Sequence, residues 1–355
     1  MAVKVSVLMT SYNLVDYIDE SIGSVVKMEF PFSWELIIGD DGSDDGTVGR
    51  IEKWIERYPD NIKLIKIERS REKVKTGSRA ARNRALLLEK AEGEYVNYLD
   101  GDDCFLGTEK FVRQVEALDA SENSDCSCCA HNIDVYTFSD NQHIPRTKVS
   151  IPSQKLTVQY YWKSWAIHSN TLLFRRECKD LMLQPLLRNY MNDNFITFLA
   201  LQKGKMLYLP GMWARYNMTG SGLWTGHTVI YGTFRNIQLL DLELYLRPDM
   251  ERIIYHRHGG DIKKIRHEYR SGMESDVSPL FEELDANIFN ISYLLYKVSD
   301  LSLSEKRKKL ALYLKLDYFR TTDMLLRNMN RLFKVKSNKK QIMNKQITPP
   351  PDANS

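Results

Sequence analysis

The sequence predicts an α/β protein in which a mainly parallel sheet is flanked by helices and followed by a helical C-terminal extension. Short apolar runs alternate with amphipathic helical patterns over residues 1–105, and this alternation is typical of βαβ units with parallel strands. Three of the four apolar runs end in polar or acidic residues. From Thr228 to about Arg331 the pattern is mostly helical.

The N-terminal elements follow in a regular order. The first strand, VKVSVLMT, is rich in β-branched residues, and the helix after it, DYIDESIGSVVKM, has apolar residues at helical spacing. The second strand, SWELIIG, ends in the acidic turn DDGSDDGT and is followed by the amphipathic helix VGRIEKWIERY. The third strand is IKLIKIE, the third helix is SRAARNRALLLEKA, and the fourth strand is EYVNYLD.

The pattern is less regular after residue 105. It predicts a helix at TEKFVRQVEALDA, a strand at CSCCAHNIDVYTF, a helix at MNDNFITFLALQKG and a strand at MLYLPGMWARYN. The segment MTGSGLWTG predicts a glycine-rich loop with an aromatic residue at its middle, and NKQITPPPDANS predicts a disordered tail.

The composition is that of an ordinary soluble globular protein, with 43% hydrophobic and 27% charged residues. The sequence contains no run of 18 apolar residues, so no membrane span is expected. The N-terminus indicates a first strand rather than a secretory signal. We therefore expect the cytosol or the cytoplasmic side of a membrane. The five cysteines are odd in number, and CSCC lacks a second CxxC or a zinc-spaced histidine pair, so we expect reduced cysteines.

The charge is unevenly distributed. Residues 301–355 carry 13 Lys and Arg against 4 Asp and Glu, a net charge of +9, whereas residues 1–300 carry −5. The segments EKRKKLALYLKLDYF and LLRNMNRLFKVKSNKK mix basic and apolar residues, which is typical of helices that bind an anionic membrane surface. A solvated helical bundle and a partner-binding face are the alternatives. No nucleic-acid-binding motif is present, so nucleic acid is not expected as a partner.

The acidic strand ends carry the chemistry. Ligands bind beyond the carboxyl ends of parallel strands, where TSYN, DDGSDD and DGDD converge. Asp100 and Asp102 lie two residues apart and point to the same side of an extended chain. Two carboxylates this close repel each other unless a cation neutralises them, and such oxygen ligands suit Mg²⁺ or Mn²⁺ that also binds phosphate. The alternative is an acidic turn in which Asp103 caps the next helix.

The set VSVLMTSYN, LIIGDDGSDDGT, ARN and AEGEYVNYLDGDD resembles the family 2 inverting glycosyltransferases of GT-A fold. The resemblance is close over about residues 3–105 and looser to about residue 230. It implies a Rossmann-like sheet and a bacterial enzyme of glycan biosynthesis, which transfers a sugar from a nucleotide diphosphate sugar, with UDP favoured, to a glycan or lipid-linked glycan. It also implies Mn²⁺ or Mg²⁺ as the cofactor and a peripheral site on the inner face of the cell membrane.

The resemblance divides the chain into three parts. Residues 1–230 would form the GT-A domain, with a nucleotide-binding half at 1–105 and an acceptor half at 106–230. Residues 231–335 would form the basic helical extension, which binds a membrane or a partner, and residues 336–355 the disordered tail.

The resemblance also implies roles for residues of the first half. Thr10 and Tyr12 would line the nucleotide pocket, with Tyr12 against the uracil face. Either Asp40 or Asp41 would accept the uracil N3–H, and the sequence leaves both open.

Two further motifs complete the nucleotide side. Arg82, or as a second choice Arg79, falls where a basic residue closes the nucleotide site in this family. Asp100–Gly101–Asp102 matches the family's DxD motif. Asp102 would contact the metal directly, and Asp100 would reach the ribose or the metal.

An inverting transferase also needs a base on the acceptor side. The family has an acidic residue near the start of a helix well after the DxD motif, and Asp193 matches it. Asn192 stands where the family usually has Glu, which puts the partner of the base in doubt. The alternative interpretation of NDN is a helix N-cap.

Two weaker sets follow from the resemblance. The residues of a lid over the diphosphate would be Arg215, Ser221, Trp224 and His227. Those of the acceptor site would be Trp165 and His168, for which packing in the core is the alternative. His227 is a further metal-ligand candidate, with an exposed loop histidine as its alternative.

Other functional classes fit less well. A nucleotide-binding or scaffold protein of the same fold without catalysis is the main alternative, and the intact Asp100, Asp102 and Asp193 argue against it. A dinucleotide-dependent oxidoreductase needs GxGxxG after the first strand, where this chain has TSYNLVDY. A nucleotidyltransferase usually has a glycine-rich phosphate loop there, which is also absent.

Overall fold

The four predicted N-terminal strands lie side by side and parallel in the computed structural model, in the order β3-β2-β1-β4. The strands are β1 (Val5–Ser11), β2 (Trp34–Asp40), β3 (Ile62–Lys66) and β4 (Tyr95–Asp100), and the helices between them are α1 (Ile18–Val26), α2 (Thr47–Arg57) and α3 (Thr76–Lys90). The structure describes residues 2–69, 76–138, 142–145, 153–164, 167–219, 239–254 and 256–258. All of them belong to one unit, Met1–Leu284.

The second half extends the same sheet. Its strands are β5 (Cys104–Phe105), β6 (Cys126–Thr137), β7 (Gln142–Pro145), β8 (Gln154–Leu156), β9 (Leu173–Arg175) and β10 (Lys205–Met218). Its helices are α4 (Lys110–Asp119), α5 (Val158–Ser164), α6 (Lys179–Met182), α7 (Asp193–Ala200) and α8 (Leu240–Leu246). The sheet order continues β4-β9-β6-β10-β5, while β7 pairs with β6 and β8 with β10.

The predicted α/β class is confirmed, and the two halves of the sheet differ in direction. The pairs among β1 to β4 are parallel, as is β6 with β10, whereas β9 runs antiparallel to both β4 and β6. The sheet is therefore parallel in the N-terminal half and mixed beyond β4. The predicted α4, β6, α7 and β10 all form.

The central strands are buried on both faces, which explains their nearly continuous apolar sequences. Val7 and Leu8 on β1, Ile38 on β2 and Leu99 on β4 all have 0% exposure. Because these strands cannot shift without exposing their side chains, the positions of their C-terminal ends are well determined.

Helix α3 approaches β2 so closely that only glycine fits at one position. A Cβ atom on Gly39 would lie 2.0 Å from Oδ1 of Asn83, and Asn83 Nδ2 donates a hydrogen bond to the carbonyl oxygen of Gly39 at 2.7 Å. This contact holds the middle of α3 against the sheet, and with it the residue that follows, Arg84.

The five cysteines are free and buried. No two of them are bonded to each other in the structure. In the part of the chain that the structure describes, no helix is both long and apolar enough to cross a membrane.

Candidate active site

The ends of β1 and β4 meet at one edge of the sheet. Thr10 Oγ1 donates a hydrogen bond of 2.5 Å to Oδ1 of Asp100, and the Gly101 amide donates one of 2.8 Å to the Thr10 carbonyl oxygen. Parallel neighbours bring residues distant in sequence to the same edge, so Thr10 and Asp100 form one side of the site.

A buried arginine links this edge to the second half of the protein. Nη2 of Arg84 lies 3.0 and 2.9 Å from the two carboxylate oxygens of Asp100, and Nη1 lies 2.8 Å from Oδ1 of Asp193. Arg84 is only 8% exposed. Burial alone would lower the pKa of its guanidinium, but the charges of Asp100 and Asp193 outweigh burial and raise that pKa. Arg84 is therefore a permanent cation between two carboxylates.

Asp193 begins helix α7 without capping it. The capping residue is Asn192, whose Oδ1 accepts a hydrogen bond of 2.9 Å from the Phe195 amide. The N-cap alternative in NDN therefore applies to Asn192 and leaves the Asp193 carboxylate available for other contacts.

His168 lies on the other side of that carboxylate. Its Nε2 is 3.7 Å from Oδ2 of Asp193, and its Nδ1 is 3.8 Å from Oδ2 of Asp103. The imidazole packs on the ring of Tyr216 with 4.6 Å between centroids and is largely buried. His168 was predicted to contact the acceptor, and the structure brings it next to the predicted base.

The two aspartates after Gly101 have different environments. Asp103 is 1% exposed, and its carboxylate accepts hydrogen bonds from the Asn217 amide at 3.0 Å and from Asn170 Nδ2 at 3.1 Å. Burial and the charge of Asp102 raise the pKa of Asp103 well above its usual range. Asp103 holds strand β10 to the site and does not cap α4, whose N-cap is Glu109.

Asp102 is partly exposed as a residue. Burial, together with the charge of Asp100, raises the pKa of Asp102 to about 7. A divalent cation would stabilise the ionised form of such a carboxylate. Both oxygens of Asp100 already accept hydrogen bonds from Arg84, which leaves Asp102 as the first candidate for a direct metal ligand. Within the described residues, no cluster of three or more His, Cys, Asp or Glu could hold a metal by itself.

An aromatic and charged cluster lies at the end of β2. The guanidinium of Arg69 lies 3.5 Å from the ring centroid of Tyr12 and donates a hydrogen bond to its hydroxyl. The carboxylate of Asp41 lies 3.7 Å from Arg69 Nη2 and 3.9 Å from Arg79 Nη1. Burial raises the pKa of Asp41, although both arginines oppose this. Tyr12 is 39% exposed, so part of its surface stays accessible beside Arg69.

Asp40 and Asp41 differ in what they contact. Asp40 is 1% exposed, and its carboxylate accepts hydrogen bonds from the amide and hydroxyl of Ser43 at 2.8 and 2.6 Å. Asp41 faces the Tyr12 cluster instead. Arg82 lies exposed on α3, so its predicted role in the nucleotide site stays a prediction, as does that of Arg79 near Asp41.

The remaining predicted residues are only partly described. Arg215 donates from Nε to Oδ2 of Asp134 at 3.0 Å, which connects β10 to β6. The predicted residues Trp165, Ser221, Trp224 and His227 lie outside the described residues, as does the basic C-terminal region beyond residue 258.

Sequence reasoning missed Arg84 and Arg69. Arg84 lies between Ala81, Ala85 and Leu88, all of which are buried, at the spacing that defines the apolar face of a helix. A charged residue on that face was the available signal, because arginine is rarely buried without an anionic partner. Arg69 carries no comparable signal, since it follows β3 in an irregular segment.

Comparisons with known proteins identify the family to which the chain belongs. Residues 6–181 match the sequence model of the family described as Glycosyl transferase family 2. The putative teichuronic acid biosynthesis glycosyltransferase TuaG of Bacillus subtilis (strain 168) is 30% identical over 242 residues, which cover 66% of this chain and 89% of TuaG. The poly(ribitol-phosphate) beta-N-acetylglucosaminyltransferase TarS of Staphylococcus aureus (strain MW2) is 35% identical over 214 residues, but they cover only 34% of TarS and 56% of this chain.

The crystal structure of S. aureus TarS 1-349 in complex with UDP-GlcNAc superimposes with a TM-score of 0.57. The match covers 86% of this chain and 88% of that one at 17% sequence identity. At this level of identity the likeness shows a shared fold.

Proposed function

Because the chain belongs to glycosyl transferase family 2, we propose that it transfers a sugar from a UDP-sugar to a glycan or lipid-linked glycan, with inversion and with the help of a divalent metal. The observation that carries this proposal is the convergence of Asp100, Asp102 and Asp193 at one edge of the sheet, with Arg84 in contact with both Asp100 and Asp193. One guanidinium therefore contacts both a donor-side and an acceptor-side carboxylate.

The nucleotide is assigned to the edge formed by β1 and β2. The exposed ring of Tyr12 offers a stacking surface for uracil, and Asp41 is the better candidate of the two aspartates to accept the uracil N3–H, because Asp40 is occupied by Ser43. Thr10 orients Asp100, whose carboxylate then faces the ribose. The sugar donor bound by TarS in its crystal structure, UDP-GlcNAc, agrees with a uridine nucleotide here.

The carboxylates after β4 fit a metal that also binds phosphate. Asp102 would hold Mn²⁺ or Mg²⁺ directly, and Asp100 would be the second candidate. Held there, the ion would supply positive charge against the negative charge that develops on the diphosphate.

Asp193 is assigned as the general base. It would accept the proton of the acceptor hydroxyl as that oxygen attacks the anomeric carbon from the face opposite the diphosphate. His168 lies beside Asp193 and extends the acceptor side, for which Trp165 also stays a candidate. Arg215, Ser221, Trp224 and His227 stay candidates for the lid over the diphosphate.

The cellular context follows from the relatives and the charge distribution. Bacterial relatives carry names of cell-wall polymer biosynthesis, so we assign a surface glycan as the acceptor class. Residues 1–230 would form the catalytic domain, residues 231–335 a basic extension that binds the inner face of the membrane, and residues 336–355 a tail.

The first experiment is a thermal-shift series with UDP, GDP and dTDP, each with and without Mn²⁺, on the wild-type protein and Asp102→Asn. We expect UDP with Mn²⁺ to raise Tm by several degrees, because a ligand at about 100 times its Kd contributes about 2.7 kcal/mol. In Asp102→Asn, the part of this rise in Tm that depends on Mn²⁺ should be lost. If no nucleotide stabilises the protein, the transferase proposal is wrong.

A scaffold protein of the same fold predicts a different pattern. It would bind UDP but release no UDP from a UDP-sugar, and Asp193→Asn would then behave as the wild-type protein does. Turnover that depends on Asp193 would exclude it.

A further inference from the structure

We propose that Arg84 is a positioning residue that holds the acceptor-side base Asp193 at a fixed separation from the donor-side carboxylate Asp100. This inference rests on the function proposed above and adds a residue for which the sequence motifs predicted no role. Arg84 would act through Asp193 and Asp100 without contacting the reacting atoms.

The helix that carries Arg84 is attached to the sheet on two sides. Asn83 binds the carbonyl oxygen of Gly39 on β2 at 2.7 Å. The carbonyl oxygen of Arg84 accepts a hydrogen bond of 3.0 Å from the hydroxyl of Tyr98 on β4, the strand that ends at Asp100. The base of the arginine side chain is therefore held relative to both strands.

The two ends of the guanidinium serve different halves of the protein. Nη2 binds both oxygens of Asp100 at 3.0 and 2.9 Å. Nη1 contacts Oδ1 of Asp193 at 2.8 Å and lies 3.4 Å from the carbonyl oxygen of Met191, just before α7. The start of α7 is thus held to the end of β4 through one planar group.

The charge balance of the site requires such a group. Asp100 and Asp193 both lie within 3.0 Å of the same guanidinium. Like charges at short distance repel, so without a cation Asp193 would turn away from Asp100. Because its guanidinium is buried and paired on two sides, Arg84 opposes that repulsion at a defined position.

A guanidinium suits this task better than an ammonium group. Its nitrogens are fixed in one plane, so the distance between the two carboxylates it binds is set by its own dimensions. A lysine offers a single nitrogen on a flexible chain and cannot bind both carboxylates in the same geometry. Inversion needs the base and the leaving group on opposite faces of the sugar, and an error of about 1 Å can cost about 100-fold in rate.

The test compares Arg84→Lys with Arg188→Lys. Arg188 is a matched control because its Nη2 binds Glu89 on α3 at 2.6 Å, so it also connects α3 to the segment before α7, but at the surface and away from the carboxylates. We expect Arg84→Lys to lower kcat about 100-fold with the acceptor KM and the Kd for UDP changed less than about threefold. Arg188→Lys should keep wild-type kcat.

A double-mutant cycle separates positioning from a general structural role. If Arg84 acts through Asp193, Arg84→Lys should cost less than about threefold in the Asp193→Asn background, because the base it positions is already gone. A full 100-fold loss in that background would overturn the proposal, as would wild-type kcat in Arg84→Lys.

Folding is checked by urea unfolding of Arg84→Lys and of a second variant, Arg84→Gln. If both variants fail to fold, Arg84 is a structural ion-pair residue and the positioning role is wrong. A wild-type protein that binds UDP but transfers no sugar would contradict the proposed function itself. If the wild-type protein transfers sugar and Arg84→Lys is equally active, only this inference is contradicted.

Discussion

The chain has two acidic strand ends, and they differ in what their carboxylates bind. After β2, Asp40 binds Ser43, and Asp45 accepts hydrogen bonds from the amides of Thr47 and Val15 at 2.9 and 3.0 Å. These partners are backbone amides and hydroxyls of the same turn or of the neighbouring loop. Asp40 and Asp45 therefore hold the turn and the neighbouring loop together, whereas Asp41 contacts Arg69 and Arg79.

After β4 the partners are different. Asp100 binds the buried Arg84 and Thr10, and burial together with the charge of Asp100 raises the pKa of Asp102. Few nearby backbone amides donate hydrogen bonds to these two carboxylates. Their charge is balanced by an arginine from another helix and, in our proposal, by a metal. The lesson is that the partners of each carboxylate, rather than the composition of its turn, distinguish a structural aspartate from a candidate functional one.

The largest effect is expected from Asp102→Asn. We expect kcat to fall about 10³-fold, because the charge that holds the metal at the diphosphate is lost. The matched control is Asp44→Asn, since Asp44 lies exposed in the turn after β2 and accepts a hydrogen bond from Asn13, which follows β1. Steady-state kinetics at saturating Mn²⁺ measures both variants, and a similar loss in Asp44→Asn would remove the distinction between the two strand ends.

A smaller effect should separate Asp41 from Asp40 at the end of β2. Asp41→Asn should weaken UDP binding about 10-fold or more, because a charge-assisted hydrogen bond to the uracil is lost. Asp40→Asn should lower the free energy of unfolding and leave the Kd for UDP within about twofold. Calorimetric titration with UDP measures the difference, and a weaker UDP affinity in Asp40→Asn alone would reverse the assignment.

Asp45→Ala should affect stability rather than rate. Its carboxylate satisfies two backbone amides at the start of α2 and in the loop after β1, so we expect the free energy of unfolding to fall by about 1–2 kcal/mol. Urea unfolding measures this change. A loss of kcat greater than about twofold, at a temperature where the variant is folded, would contradict a purely structural role.

The smallest effect is a pH dependence of the difference in unfolding free energy between the wild-type protein and Asp45→Ala. Burial alone would raise the pKa of Asp45, but the hydrogen bonds from Thr47 and Val15 lower it. A carboxyl whose pKa is lower in the folded state stabilises the fold above its unfolded pKa and loses this contribution as the pH falls through the folded pKa. The stability difference between wild type and Asp45→Ala should therefore shrink from pH 6 to pH 3, and a constant difference would argue against the hydrogen-bonded carboxylate as its source.

The sequence predicted the parallel half of the fold and the family. Each βαβ unit there is built from a long apolar strand and an amphipathic helix, so its signal is local. The short strands of the second half, such as β5 (two residues) and β9 (three residues), were missed. Strands of that length have no measurable periodicity, and their pairing with β10, β4 and β6 involves residues far away in sequence.

The motifs predicted which aspartates to examine, whereas their partners depended on the fold. Asp100 is recognisable from the DGDD motif after the fourth strand, and Asp193 from its position at the start of a helix. Arg84 connects the two only because α3 packs closely on Gly39. Likewise Asp40 and Asp41 are adjacent residues of the same type, and the sequence does not distinguish them. In the structure the carboxylate of Asp40 is bound by Ser43, whereas that of Asp41 is not.

The sequence by itself determined the α/β class, the family and the acidic residues at the strand ends, because these depend on residue type and on patterns within a few turns of chain. Only the tertiary structure decided that Arg84 joins Asp100 to Asp193, that Asp103 binds Asn170 and Asn217, and that His168 lies beside Asp193. These outcomes depend on packing between elements that are far apart along the chain, where burial forces each charged group to find a partner.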